Sequence, residues 1–108
     1  MSDLYLRHAD ICKTFSNPKR LEVINALRDN VELTASQLLA RIDISKANLS
    51  QHMSLLVQKG VVKSRRDGIS MFYRLADGRI TLACDIMRDI LLSKISEDSE
   101  LLKRKKTL

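Results

Sequence analysis

Between Thr34 and Tyr73 the chain reads TASQLLARIDISKANLSQHMSLLVQKGVVKSRRDGISMFY, and few folds accept that order of local signals. Thr34 with Gln37 makes a T-x-x-Q capping box, in which each side chain can satisfy a backbone amide that the first helical turn leaves unpaired. It predicts a short helix through Leu38, Leu39 and Ile42. Asp43-Ile44 turns the chain, and Ser45 caps a second helix. Leu49, Met53 and Leu56 give that helix a buried stripe. Gly60 stops it at the position where a left-handed residue is favoured. Val61–Arg66 and Ile69–Leu75 then alternate in the manner of strands. Asp67-Gly68 between them predicts a two-residue hairpin with both central residues at positive φ. Two helices across a tight turn, followed by a basic hairpin, describe a helix-turn-helix with a wing.

The flanks fit around this segment. Leu4, His8, Ile11 and Phe15 share one helical face, with Tyr5 and Cys12 beside it, so a first helix ends before Asn17-Pro18. Asn17 suits an N-cap and Pro18 the first helical position. A second helix follows from about Pro18 to Arg28, with Leu21, Ile24 and Leu27 inward. Asp29–Leu33 is expected to be a connector. Asp77 caps a last helix, expected from about Gly78 to Ile95. Ile80, Cys84, Met87, Leu91 and Ile95 line one face of it and Leu82, Ile86 and Ile90 much of another. An apolar arc that wide is rarely left on the surface of a small monomer. The expected architecture is mostly α with a small β element (α+β): α1-α2-α3-α4-β-hairpin-α5. Residues 1–95 are expected to form one winged helix-turn-helix domain, for DNA binding and dimerisation if its charge and surface suit those roles, and residues 96–108 a basic, frayed tail.

The totals narrow the function. A chain of 108 residues supports one domain and gains from dimerisation. Its net charge of +6 favours polyanionic partners, chiefly nucleic acid. No apolar run approaches the roughly 20 residues of a membrane span, and no charged-then-apolar leader opens the chain. A cytoplasmic location is expected by default. Cys12 and Cys84 form no C-x-x-C, and in the cytosol they are expected as free thiols.

Opposite the buried stripe of the second helix of the motif lie Ala47, Gln51, Ser54 and Gln58, with Ser50 at the edge. Gln can bond adenine in a bidentate way, Ser adapts to either partner, and Ala can touch a thymine methyl. Lys46 can reach a phosphate or a guanine, and Asn48 and His52 flank the arc. A solvated polar face would have the same composition, and the hairpin decides between them. Lys63, Arg65 and Arg66 near its tip, with Arg74 on the return strand, suit backbone clamping or minor-groove entry. The candidate DNA contacts are therefore Lys46, Ala47, Asn48, Ser50, Gln51, His52, Lys63, Arg65 and Arg66. His52 has no second ligand at metal spacing, so a phosphate contact or a packing hydrogen bond is its expected role. His8, alone on an apolar face, is expected to be an interface histidine.

Together these residues resemble the ArsR/SmtB family of small bacterial transcriptional repressors, over nearly the whole chain. The resemblance rests on Ser16-Asn17-Pro18-Lys19-Arg20-Leu21, on Ile44-Ser45-Lys46-Ala47-Asn48-Leu49-Ser50-Gln51-His52, on Leu55–Gly60, and on Arg65-Arg66-Asp67-Gly68 with Tyr73-Arg74-Leu75. It implies a winged-helix homodimer joined through its first and last helices. It also implies repression at a roughly palindromic operator, contacted through Lys46, Ala47, Ser50 and Gln51, with release by an effector.

The effector sites of the family are where this sequence departs. Metalloid-sensing members carry a cysteine pair before the turn, and Gln37–Asp43 has no thiol. Zinc- and nickel-sensing members use Asp and His across the last helix, and Gly78–Ile95 has no histidine. Persulfide-sensing members pair a cysteine of the second helix with one of the last, and the former position falls at Asn25. Cys12 and Cys84 remain, one on each expected interface helix. They can serve as a disulfide, a persulfide bridge or a two-thiolate site for a soft metal or metalloid. Equally, they can be small hydrophobes packing the interface. Otherwise no cofactor or metal is expected.

Two other classes compete with the repressor. A winged helix used for protein contact, or a DNA-binding regulator without a sensor site, is the alternative; the cations of the wing argue against pure protein contact. An enzyme is not expected, because the sequence holds no Ser/His/Asp set, no phosphate-cradling glycine loop and no paired carboxylates.

Overall fold

The computed structural model describes the backbone of residues 2–106 and the side chains of residues 3–100 and of Lys103. The element order is α1 (Ser2–Thr14), α2 (Pro18–Ala26), β1 (Leu33–Thr34), α3 (Ala35–Arg41), α4 (Lys46–Gln58), β2 (Val62–Asp67), β3 (Ser70–Leu75) and α5 (Arg79–Lys106). This is the expected winged helix-turn-helix, with one additional strand. The sheet order is β1-β3-β2, antiparallel throughout.

The predicted helix starts are present as hydrogen bonds. Asn17 Oδ1 accepts the Lys19 and Arg20 amides at 2.9 and 3.1 Å. The Thr34–Gln37 box closes both ways, at 2.8 and 3.2 Å. Ser45 Oγ accepts the Asn48 amide at 3.1 Å. Gly60, at φ +74, ends α4 in a Schellman motif: its amide bonds the Val57 carbonyl and the Val61 amide bonds that of Leu56.

Four expectations need correction. The hairpin turn is Gly68-Ile69, since Asp67 pairs with Ser70. Only Gly68 has positive φ, at +62, which is the II′ pattern with glycine at its first central position. Ile69 therefore stands fully exposed at the wing tip. In α2 the third buried residue is Val23, at 0% exposure, whereas Leu21 is 38% exposed. The connector after α2 ends in a strand, with Leu33 opposite Tyr73 and Thr34 opposite Phe72. Two residues are too few to show an alternation, so β1 has no signature of its own. Finally, α5 continues past Ile95 to Lys106. Residues 96–106 hold no Gly or Pro to stop it and are rich in Glu, Leu, Lys and Arg. The expected basic tail is thus helical as far as Lys106, and Thr107 and Leu108 lie outside the described residues.

The core is built from Val23, Ile24 and Leu27 of the α2 region, Leu33, Leu38 and Ile42, Leu49, Met53 and Leu56 of α4, and Val61, Val62 and Leu75 of the wing base. Ile80 and Cys84 of α5 pack against it from one side. Arg28, just beyond α2, clasps Asp85 of α5 with two hydrogen bonds of 2.7 and 3.0 Å. Asp85 is held below the usual carboxylate range by that bond and by the Arg28 charge. Beyond this clasp α5 leaves the body. Ile86, Met87, Ile90, Leu91, Leu92 and Ile95 are each at least half exposed. The radius of gyration, 17.5 Å, exceeds the ~13 Å of a compact domain of about this length. The excess reflects the 28-residue α5, whose residues 86–100 are all exposed.

Candidate nucleic-acid interface

Three buried residues of α4 orient the rest of the helix. Leu49, Met53 and Leu56 are at most 2% exposed, so the opposite face must look outward. Lys46, Ala47, Asn48, Ser50, Gln51, Ser54 and Gln58 are all exposed. The arc expected from periodicity is therefore the arc presented. The Ser45 cap holds the first turn of α4, the turn that carries Lys46, Ala47 and Asn48. Ser45→Ala is expected to lower stability by about 1 kcal/mol, measured by chemical unfolding at fixed protein concentration.

His52 is placed differently from the others. It is half-buried, with Nδ1 3.5 Å from Arg20 Nη1, while Arg20 Nε donates to the Thr14 carbonyl at 2.7 Å. Burial, then the Arg20 charge, lowers its pKa from the ordinary value near 6.5. Of its two expected roles, packing is the one this geometry supports. The depressed pKa has a sign: protonation is harder in the folded state, so stability falls as pH drops below about 6.5 and the loss is complete below the folded pKa. A His52→Gln variant is expected to flatten that limb of a stability-versus-pH series. An unchanged slope would mean that another group causes it.

The wing cations divide into two sets. Arg65 is engaged: Nε donates to Glu32 at 2.9 Å, Nη2 bonds the other carboxylate oxygen, and the guanidinium lies 4.4 Å from the Phe72 ring centroid. The Arg65 bond holds Glu32 below its ordinary pKa. Lys63 and Arg66 make no ion pair among the described residues, and both are exposed. Arg66 sits opposite Met71 near the tip as expected, but Lys63, expected there too, sits opposite Arg74 near the base, because the strand register puts four residues between it and the turn. Arg66 thus has no ion pair among the described residues, whereas Arg65 is held by Glu32. Glu32 had no signal in the sequence, because its partner lies 33 residues away.

The thiols are separated by environment. Cys12 is exposed on α1 and Cys84 is half-buried on α5. Burial first, then Asp85, raises the Cys84 pKa against the opposing charges of Arg88 and Arg28. Among the described residues no group of three or more His, Cys, Asp or Glu side chains is placed to hold a metal ion. No described helix is long and apolar enough to cross a membrane.

Known proteins share this arrangement. A model of the helix-turn-helix domain family matches residues 15–65. The HTH-type transcriptional regulator Rv0081 of Mycobacterium tuberculosis is 30% identical over 94 residues, covering 87% of this chain and 82% of its own. Its crystal structure superposes with a TM-score of 0.77, over 87% of this chain and 94% of that one. The transcriptional activator HlyU of Vibrio cholerae is 30% identical over 77 residues, 71% of this chain and 70% of its own. A homodimeric winged helix-turn-helix DNA-binding domain from Mycobacterium bovis, described as a possible ArsR-family regulator, shares the fold at a TM-score of 0.75 and 22% identity, over 86% of this chain and 88% of that one. Capped reading helix, basic wing and matching relatives together place this chain in the ArsR family of winged helix-turn-helix transcriptional regulators.

Proposed function

We propose that this protein is a cytoplasmic, dimeric, operator-binding transcriptional repressor. The observation that carries the reading is the exposed arc of α4. It presents Lys46, Ala47, Asn48, Ser50 and Gln51 beside a wing whose Arg66 has no ion-pair partner among the described residues. Short hydrogen-bonding side chains suit base edges in the major groove, and cations at the N-terminus of the helix and on the wing suit phosphates. Lys63 and Arg65 extend the basic surface, Arg65 once released from Glu32. His52 supports the helix from behind, through Arg20, rather than from its reading face. Binding is tested on a duplex carrying the protein's own promoter region at moderate salt. A footprint covering two half-sites is expected, and its absence, or indifference to Arg66→Ala, sinks the reading. Rising transcription on binding would make the protein an activator, as HlyU is named.

A symmetric operator requires two reading heads about one helical turn apart. The exposed apolar face of α5, with Leu4, Tyr5, Leu6 and Ile11 of α1, supports a homodimer through these helices. Leu91 is 56% exposed in the single chain, so Leu91→Glu leaves the monomer fold intact while placing charge in the interface. The mass from light scattering is expected to fall from twice the 12.3 kDa chain mass to the chain mass itself, with operator affinity lost alongside. A variant that stays dimeric would place the interface elsewhere.

Cys12 and Cys84 are the thiol candidates for an effector. Burial and a raised pKa at Cys84 support packing as its resting role, since the thiolate is the reactive form. DNA release by a thiol oxidant that Cys84→Ser abolishes would instead support the switch.

A further inference from the structure

Where α4 ends and the wing begins, the surface folds into an open cleft of about 440 Å³ whose walls include Glu32, Val57, Lys63, Arg65, Arg74 and Ala76. That volume is within the range of small-molecule sites. Its charge is unbalanced: three cations face one carboxylate, and Arg65 already occupies that carboxylate. Lys63 and Arg74 are directly opposite each other on the antiparallel ladder. Like charges at such positions disfavour a sheet, and an anion between the two would relieve their repulsion. Neither has a carboxylate within ion-pair distance among the described residues, and Arg74 acts on Glu32 only at longer range. Beside the cations stand the aliphatic Val57 and Ala76. The last carbonyls of α4, which would repel an anion, are capped by the Schellman hydrogen bonds.

We infer that this cleft is a binding site for a small organic oxyanion, a carboxylate or phosphate ester with a compact apolar body. The charge belongs between Lys63 and Arg74, and the apolar part against Val57 and Ala76. Two oxyanion sources share this chemistry, a free small molecule and the phosphates of DNA. The position favours the small molecule. Val57 lies ten residues along α4 from Ala47, about 15 Å at 1.5 Å per residue, and so away from the helix end proposed to read bases. The cleft also bridges the reading helix and the wing. An occupant would set the angle between them, and this regulatory consequence rests on the DNA-reading proposal, whereas the site itself does not.

The experiment is an amide chemical-shift titration of the full chain with phenyl phosphate and with benzoate, up to about 10 mM, where even a millimolar site is mostly filled. Saturable shifts at Val57, Gly60, Lys63, Arg74 and Ala76 are expected. A Lys63→Gln/Arg74→Gln variant should weaken the apparent affinity about tenfold or more, since each charged hydrogen-bond partner carries roughly that factor. Val57→Glu, a negative charge placed on the apolar wall, should do the same by a different route. Benzamide, neutral and of similar shape, should produce no saturable shift. A duplex titrated separately should move Ala47, Ser50, Gln51 and Arg66 most, with smaller shifts at Lys63 and Arg65 on the wing, and leave Val57, Gly60 and Ala76 still. Absence of saturable shifts, or shifts that persist in both variants, overturns the site. Duplex-induced shifts centred on the cleft overturn it too, by assigning the cations to DNA phosphates. A duplex that moves nothing would fault the DNA reading alone, because the small-anion arm is measured without DNA.

Discussion

Replacing Leu56 with alanine is expected to lower unfolding stability by about 2–5 kcal/mol, from the lost transfer free energy plus the cavity left behind. Leu56 is fully buried. Its carbonyl also accepts the Val61 amide at the end of α4, so its side chain packs where the reading helix hands over to the wing. A protein of this size has about 5–15 kcal/mol in total, so this single change removes a large share of it. The comparison is Ser54→Ala on the exposed face of the same helix, expected to stay within about 0.5 kcal/mol. Urea unfolding of both variants at one protein concentration measures the difference. A loss below about 1 kcal/mol at Leu56 would mean that the core relaxes around the cavity, and that α4 is less rigidly seated than its burial implies.

The second large effect is on recognition. Gln51→Ala is expected to weaken binding to the protein's own operator by about 1–3 kcal/mol per half-site while leaving non-specific binding nearly unchanged. In a two-fold symmetric complex the loss is felt twice. Lys46→Ala and Arg66→Ala should behave differently. Each should weaken binding to every duplex alike and reduce the slope of log affinity against log salt by about one for every phosphate no longer neutralised. Titrations of operator and scrambled duplexes across a salt series separate the two patterns. If Gln51→Ala leaves the ratio of specific to non-specific affinity unchanged, the outward arc of α4 is a solvated face, and base reading lies elsewhere.

How much of this is legible in the sequence follows from the range of each interaction. The caps at Asn17, Thr34 and Ser45 bond atoms no more than three residues away. Local sequence therefore carries them, and with them the starts of α2, α3 and α4. The stripe of α4 and the outward position of Lys46, Ala47, Ser50 and Gln51 follow from helical period alone. Pairings distant in sequence are not legible. The Glu32–Arg65 and Arg28–Asp85 pairs span 33 and 57 residues, and the Arg20–His52 approach spans 32. Nothing in the neighbourhood of any of these residues announces its partner. The expected wing turn is misplaced by one residue for a related reason. A glycine at either central position satisfies a tight hairpin, and only pairing across β2 and β3 chooses Gly68-Ile69.

The sequence by itself determined a five-helix chain with a basic hairpin, a reading helix of known outward face, and an apolar α5 too wide to remain unpartnered. These depend on short-range hydrogen bonds and on periodicity, which the order of residues specifies directly. Only the tertiary structure decided that Arg65 is held by Glu32 while Arg66 has no ion pair among the described residues. It also turned His52 towards Arg20 and set Lys63 and Arg74 face to face above an open cleft. Those outcomes rest on strand register and on the packing of α4 against the wing. A shift of one residue in pairing would send the wing side chains to the opposite face.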